Sequence, residues 1–255
     1  MKIESLSNPL IKQIKKLKDK KNRKAEGLYL IEGVNLALEF LTYSKDLVKN
    51  VIATEDKLGL VPEKFDVTVV SERVFEGISD TCSPQGLMVV GKIPDSTCTF
   101  DDMSLVIYLD KVADPGNVGT IIRTADALGV DAVILSKDCA DLYNSKTVRS
   151  TMGSMFHIPV LIEENYLEKL KDLKSKGFKL VTGSLDGDKT LDKLNFTDLK
   201  TVICLGNEAH GISKELVDLG VTKTKIFMPG KAESLNVAVA GAIFMYEATL
   251  KRRNS

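Results

Sequence analysis

Cysteine is sparse in this 255-residue chain and never set at CxxC spacing: Cys82, Cys98, Cys139 and Cys204 are scattered, which points to reduced structural thiols rather than a zinc site or a disulfide framework. Long apolar runs are missing too. No window approaches the roughly 18 uninterrupted apolar residues of a membrane span, and lysine stands near the N-terminus where a secretory signal needs its apolar stretch. A cytoplasmic chain with no membrane partner is expected. The nucleotide fingerprints are absent as well. Gly116 and Gly119 do not make GxGxxG, and Gly230-Lys231 is followed by Ala232 instead of the Ser or Thr of a P-loop. There is no GxSxG, and the only two histidines, His157 and His210, have no obvious partners for a hydrolase triad. Asp186 and Asp188 flank Gly187 without the remaining ligands of a calcium loop, so a solvated turn is expected there and no metal anywhere.

Charge of one sign is also lacking, with 35 Lys and Arg against 35 Asp and Glu, and a net charge near zero speaks against a nucleic-acid partner. Its distribution says otherwise. Between Met1 and Ala25 stand Lys2, Lys12, Lys15, Lys16, Lys18, Lys20, Lys21, Arg23 and Lys24, opposed only by Glu4 and Asp19. Leu10, Ile14 and Leu17 give the same stretch one apolar face, so it reads as an amphipathic helix with a cationic outer face.

The rest of the chain reads as two α/β parts. In the first, helical patterns at Val34–Tyr43 and Glu72–Ile78 alternate with strand-like runs at Val51–Ala53, Val67–Val70 and Leu87–Val90. The polar stretch Ile93 to Asp102 has no periodicity and is placed as the linker, dividing residues 1–96 from residues 97–255. Beyond it, strands Leu105–Leu109, Ala132–Leu135, Pro159–Ile162, Lys179–Thr182, Val202–Leu205 and Lys225–Met228 alternate with helices at Val118–Leu128, Asn144–Arg149, Tyr166–Lys176, Lys214–Leu219 and a final helix. Such alternation predicts a parallel sheet covered on both faces.

Three strand-loop-helix junctions carry polar residues at the loop. The first is Asp110-Lys-Val-Ala-Asp-Pro-Gly-Asn-Val-Gly-Thr-Ile-Ile-Arg123, the second Leu205-Gly-Asn-Glu-Ala-His-Gly-Ile-Ser213, and the third runs from Ile226 through Pro229-Gly230 to Ser234-Leu-Asn-Val237. In the third, Ile226–Met228 reads as a short buried strand, and Ser234 and Asn236 sit where a loop meets a helix N-terminus, a setting suited to a polar ligand. These segments resemble, in order, the three motifs of the SpoU/TrmH family of RNA ribose 2'-O-methyltransferases, within the wider SPOUT class. Asn117 and Arg123 match motif one, Gly206-Asn207-Glu208 and Gly211 motif two, and Pro229 with Ser234 to Val237 motif three. Ile31-Glu32-Gly33, Ser79-Asp80-Thr81 and Pro84-Gln85-Gly86 are similar to the small N-terminal domain of many members, so the likeness covers nearly the whole chain.

The resemblance implies a SPOUT catalytic domain over residues 97–255 whose C-terminal segment threads a trefoil knot, and a small L30e-like α/β domain over residues 1–96 that binds the RNA substrate. It implies S-adenosylmethionine as cofactor, structured RNA as partner with ribosomal RNA favoured over transfer RNA, and a homodimer built on the final helix. Asn117, Arg123, Glu208, Ser234 and Asn236 take the catalytic positions. Thr182, Gly183, Ser184, Leu205, Gly206, Asn207, Gly211, Ile226, Met228, Ser234 and Leu235 fall on the cofactor loops. For the dimer the sequence offers Ala238, Ala240, Gly241, Ala242 and Ala248, small enough for close approach, with Phe244 and Tyr246 as larger contacts; packing of the same helix on its own sheet is the competing reading. A non-catalytic RNA-binding or ribosome-assembly protein on this fold is the alternative function, and the intact Asn117, Arg123, Glu208 and Asn236 count against it. Methylation of a base is a further alternative that the motifs disfavour.

Overall fold

The computed structural model describes residues 2–95, 98–197 and 200–253. They form two compact units, Met1–Asp95 with Asp141–Phe156, and Ser96–Ala140 with His157–Ser255. Ser96 and Thr97, where the sequence places the domain boundary, lie outside the described residues.

The first unit begins with α1 (Pro9–Lys16) and α2 (Lys20–Glu26), two short helices where the sequence suggests one. The break has a local cause: Asp19 caps α2 by accepting from the Lys21 N–H at 2.8 Å. Ile11, Ile14 and Leu17 turn inward, and Lys12, Lys16, Lys20, Lys21 and Lys24 remain exposed. Arg23 does not join that cationic face, because it is buried. Next come β1 (Leu28–Glu32), α3 (Val34–Tyr43), β2 (Val48–Ala53), β3 (Val67–Val69), α4 (Glu72–Ile78) and β4 (Leu87–Lys92). Their sheet has the order β1-β4-β2-β3, with β4 antiparallel to both neighbours and β2 parallel to β3.

The second unit opens with β5 (Leu105–Leu109), α5 (Pro115–Ala127) and β6 (Ala132–Ser136). Then α6 (Ser145–Thr151) leaves it for the first unit. The sequence pattern assigns this helix to the second part, but its flanks decide otherwise. Tyr143 packs on Tyr29 with ring centroids 4.8 Å apart, and Phe156 meets Phe40 edge-on at 5.1 Å. The chain returns as β7 (Val160–Glu163), α7 (Tyr166–Ser175), β8 (Lys179–Gly183), β9 (Lys189–Thr190), β10 (Thr201–Leu205), α8 (Lys214–Asp218), β11 (Thr222–Lys225) and α9 (Val237–Arg253). The sheet order is β7-β6-β5-β10-β8-β11-β9, every pairing parallel. Its central strands β5, β6 and β10 are buried along their whole length, as strands covered on both faces must be.

One strand assignment needs correcting. The last strand is Thr222–Lys225, and Ile226–Met228 is irregular, with Phe227 75% exposed. The polar Thr-Lys-Thr-Lys run hides this strand, which lies between β8 and the two-residue β9, from a hydrophobicity argument. The final helix also differs in emphasis. Ala238, Gly241, Phe244 and Ala248 turn into the unit's own core, and a Cβ on Gly241 would lie 2.7 Å from Leu205 Cδ1. The small residues therefore serve packing within the chain, and Val239, Tyr246 and Leu250 form the exposed apolar face of α9. Among the described residues no helix is long and apolar enough to cross a membrane, and no cluster of His, Cys, Asp and Glu could hold a metal ion.

Arg23 fixes the entry to the first unit. Its Nη1 donates to the carbonyls of Leu17 and Lys18 at 2.8 and 2.7 Å, and its Nη2 pairs with Asp141 Oδ2 at 2.6 Å. Removing one partner of a buried ion pair strands the other charge, so Asp141→Ala should cost about 3 kcal/mol or more of stability, read by urea unfolding. A loss within the scatter of surface substitutions would show that Arg23 is held by the two carbonyls alone.

Candidate functional site

The parallel register of β5 and β10 brings two of the sequence motifs together. Leu109 stands opposite Leu205, and the Asp110 N–H continues the ladder to the Leu205 carbonyl at 2.8 Å. Both chains therefore leave the sheet side by side at its C-terminal edge, where ligands of open parallel sheets bind. The Asp110 carboxylate is fully buried and accepts from the Ser213 N–H at 2.6 Å, tying the far end of the second loop to the first.

Within that loop, Asn207 and Gly211 exchange backbone hydrogen bonds of 2.9 Å in both directions. The approach is so close that a Cβ on Gly206 would lie 2.2 Å from the Gly211 backbone, and Gly211 itself adopts φ 68°. The Asn207 side chain locks the turn, donating to the Lys111 carbonyl at 2.9 Å and accepting from the N–H groups of Ala209 and His210. Glu208 is thereby aimed at the start of α5. Its carboxylate accepts from the Ala113 N–H at 3.2 Å, the Asp114 N–H at 3.4 Å and the Asn117 side-chain amide at 2.8 Å.

An ionised carboxylate only accepts, so Asn117 must turn its Nδ2 toward Glu208 and its Oδ1 away. That Oδ1 accepts from Asn236 Nδ2 at 3.0 Å. The Asn236 Oδ1 in turn accepts from Ala238 and Val239 at the N-terminus of α9, at 2.8 and 3.3 Å. The helix cap is thus Asn236, and the three motifs are joined by one directional chain of hydrogen bonds. Burial alone pushes the Glu208 carboxyl up; the hydrogen bonds from Asn117 and the neighbouring backbone N–H groups outweigh it and hold Glu208 below the ordinary carboxylate range.

Beside this chain lies an open cleft lined by Gly183, Ser184, Ile226, Met228, Ser234 and Leu235, all named by sequence, together with Leu185, Lys225 and Ala240, which were not. Leu185 directly follows Ser184 and is 68% exposed, a large apolar residue stranded on a loop, which is the signal that could have found it. A Cβ on Gly183 would press on Phe244 of α9 at 3.2 Å, so a larger residue there needs that ring to give by a few tenths of an ångström. Thr182, Leu205, Gly206, Asn207 and Gly211 do not line the cleft. Thr182 is buried with its hydroxyl on the Cys204 carbonyl at 2.9 Å, and the others build the turn that carries Glu208.

Arg123 stands apart. It is exposed on α5 and has no hydrogen-bond or ion-pair partner among the described residues. Six residues separate it from Asn117, which on a helix means about 9 Å along the axis and a different face. Neither Glu208 nor Asn117 orients it within the chain.

A family model described as the SpoU rRNA Methylase family matches residues 104–246, and one described as an MRM3-like substrate binding domain matches residues 8–89. The chain is 36% identical over 250 residues to the 23S rRNA (guanosine(2553)-2'-O)-methyltransferase RlmP of Bacillus subtilis (strain 168), covering 96% of this chain and 97% of that protein. Among solved structures it is similar to the AdoMet-bound rRNA methyltransferase from Sinorhizobium meliloti, with a TM-score of 0.85 and 30% identity, over 100% of this chain and 98% of the other. The SpoU methyltransferase AviRb from Streptomyces viridochromogenes, in complex with the cofactor AdoMet, superposes with a TM-score of 0.83 at 25% identity, over 97% and 100% of the two chains.

Because the folded state lowers the Glu208 pKa, its contribution to stability is present above the unfolded value and is lost as pH falls through the folded one. Wild type should therefore lose more thermal stability than Glu208→Gln as pH drops below about 4.5, the ordinary value for this carboxyl. Parallel pH profiles for the two proteins would mean that the observed hydrogen bonds add nothing to folding.

Proposed function

The chain belongs to the SpoU rRNA methylase family, and from that membership we propose that it methylates a ribose 2'-hydroxyl of structured RNA with S-adenosylmethionine as donor, ribosomal RNA before transfer RNA. The Bacillus relative named for 2'-O methylation of 23S rRNA supports the choice of acceptor, and the two neighbours with bound AdoMet support the donor. The observation that carries the reading is the Glu208–Asn117–Asn236 chain ending at the cleft. It spends three loops on orienting two amides beside an apolar-walled recess, and packing alone does not require that.

The cleft suits the donor: Ile226, Met228 and Leu235 offer apolar walls for an adenine ring, and Gly183 and Ser184 bring the end of β8 to its edge. Bound there, S-adenosylmethionine supplies an electrophilic methyl group on a sulfonium. Ser234 and Asn236, exposed at the mouth, orient the ribose, and Asn117 fixes Asn236 in the rotamer that leaves its own N-cap intact. Arg123 binds the phosphate next to the reacting ribose as negative charge develops on the 2'-oxygen. The residues off the cleft wall, Thr182, Leu205, Gly206, Asn207 and Gly211, serve by holding the loops. The exposed lysines of α1 and α2 supply salt-sensitive contacts to RNA phosphates.

The same reading includes a cytoplasmic homodimer and the knot of the C-terminal segment. The dimer's support is the apolar face of Val239, Tyr246 and Leu250, exposed at 48, 59 and 40% on a helix otherwise packed into the core. A second copy also answers why Arg123 lies off the network, because it lets Arg123 of one subunit serve the loops of the other.

Arg123→Ala should lower methyl transfer about 100-fold or more with cofactor affinity nearly unchanged, and Arg123→Lys should recover only part of the rate. Retained turnover in Arg123→Ala removes its role, and product RNA that alkali still cleaves at the modified site removes the ribose assignment. Co-expressing Arg123→Ala with Glu208→Ala subunits tests sharing of the site. Mixed dimers should regain activity that neither variant has alone, and two inactive parents giving inactive mixtures would place the whole site in one chain.

A further inference from the structure

The first unit contains a recess of about 190 Å3 that the methyl-transfer reading leaves unused. Its walls include Glu32 at the end of β1, Leu36 on α3, Gln85 before β4, and Arg149 and Met152 at the end of α6. Glu32 is 5% exposed and firmly held. Its Oε1 accepts from the hydroxyls of Ser79 and, at 2.9 Å, Thr81, and its Oε2 accepts from the Asp80 N–H at 2.9 Å. A carboxylate offers about four acceptor sites, so Oε2 retains one.

Arg149 is the opposite case. Its guanidinium has no hydrogen-bond or ion-pair partner among the described residues, and its Nη1 is shut off from solvent all the same. Sheltering a cation without satisfying its donors is costly, and a fold keeps such a group when something outside the chain completes it. Met152, next along the wall, holds φ 51° and leaves half of its side chain exposed. Backbone strain of that kind in a non-glycine residue gathers at ligand sites.

A phosphate would satisfy Arg149 but would face the fixed negative charge of Glu32. An apolar side chain would leave both charges unpaired. A neutral planar ring that offers a carbonyl to the guanidinium and an adjacent N–H to the carboxylate satisfies both, and the flexible Met152 and Leu36 provide apolar surface for its faces. We propose that this recess binds one unpaired RNA base through its lactam edge, the carbonyl on Arg149 and the N–H on Glu32, and thereby selects guanine or uracil over adenine and cytosine. Adenine and cytosine have no ring N–H beside a carbonyl. The proposal rests on the chain acting on RNA, and it adds a base-reading site to the unit that holds the substrate.

The test measures affinity of the full chain for fluorescently labelled hexaribonucleotides, all adenosine or all adenosine with one central guanosine, uridine or cytidine. Wild type should bind the guanosine and uridine hexamers about fivefold tighter or more than the all-adenosine one, the lower range of discrimination from a good base contact. Arg149→Ala should erase that preference while leaving all-adenosine affinity within about twofold, since phosphate contacts persist. Glu32→Gln should weaken the preference too, and a thermal melt checks that each variant folds; if Glu32→Gln does not, the Arg149→Ala result decides. Equal affinity of wild type for all four hexamers overturns the proposal, as does a parallel loss for every hexamer in Arg149→Ala, which would make Arg149 a phosphate contact. Cofactor binding measured on the same samples keeps the two readings separate, because a chain that binds S-adenosylmethionine yet ignores base identity loses only this site.

Discussion

Glu208 is the group on which the rest of the candidate site depends. As an ionised carboxylate it can only accept, and it sits where α5 presents its free N–H groups, a place that favours negative charge. That one polarity propagates. It decides which way the Asn117 amide faces, hence which way Asn236 faces, hence that the Asn236 oxygen is free to cap α9. The N–H groups of Ala238 and Val239, which can only donate, fix the same direction from the other end. Three segments distant in sequence are thus oriented between a carboxylate that only accepts and a helix N-terminus that only donates.

Backbone sterics hold the carboxylate in place. The tight return of Gly206 on Gly211 admits no side chain, and the pinning of Ser213 by buried Asp110 closes the same loop from its other end. Both restraints stand on the register of β5 against β10, which sets the two loop origins one strand apart. The order of dependence therefore runs from parallel pairing, to a loop of glycines, to a carboxylate, to two amides. A change at Gly206 would act on the site through this geometry even though Gly206 lines no cleft.

Much of this was legible in the sequence because it depends on local periodicity and on motif spacing. Helices Val34–Tyr43 and Glu72–Ile78 and strand Leu105–Leu109 form where the pattern puts them, and the loops after β5 and β10 meet as the motifs imply. What escaped is tertiary in origin. Arg23 reads as one more lysine-like charge, yet Asp141, 118 residues away, draws it inside. The fragment around α6 looks like a member of the alternating α/β series, and the Arg23–Asp141 ion pair together with the aromatic pairs made by Tyr143 and Phe156 ties it to the first unit. Strand β11 is invisible to hydropathy because its alternating Thr and Lys offer little to bury, with only Thr224 fully covered. Of the small residues of α9 offered for a dimer, Ala238, Gly241 and Ala248 pack into the unit's own core, as the competing reading had it, with Gly241 against Leu205.

The placement of Arg123 separates orientation from charge. The polar groups that the hydrogen-bond chain orients, Asn117, Glu208 and Asn236, are neutral or negative, and Lys225 on the cleft wall lies outside that chain. Arg123, the cation that the proposed function assigns to an RNA phosphate, stands on another face of α5 with no hydrogen-bond or ion-pair partner among the described residues. A folded chain that had paired Arg123 with Glu208 would have neutralised both groups and gained little, since exposed ion pairs contribute at most about 1 kcal/mol. Keeping them apart leaves the carboxylate to its ordering task and the guanidinium fully available to substrate. Under the proposed function, a site built in this way is incomplete until RNA, or a second subunit carrying its own Arg123, supplies the missing juxtaposition, and that requirement would couple positive charge at the reacting ribose to the arrival of the correct partner.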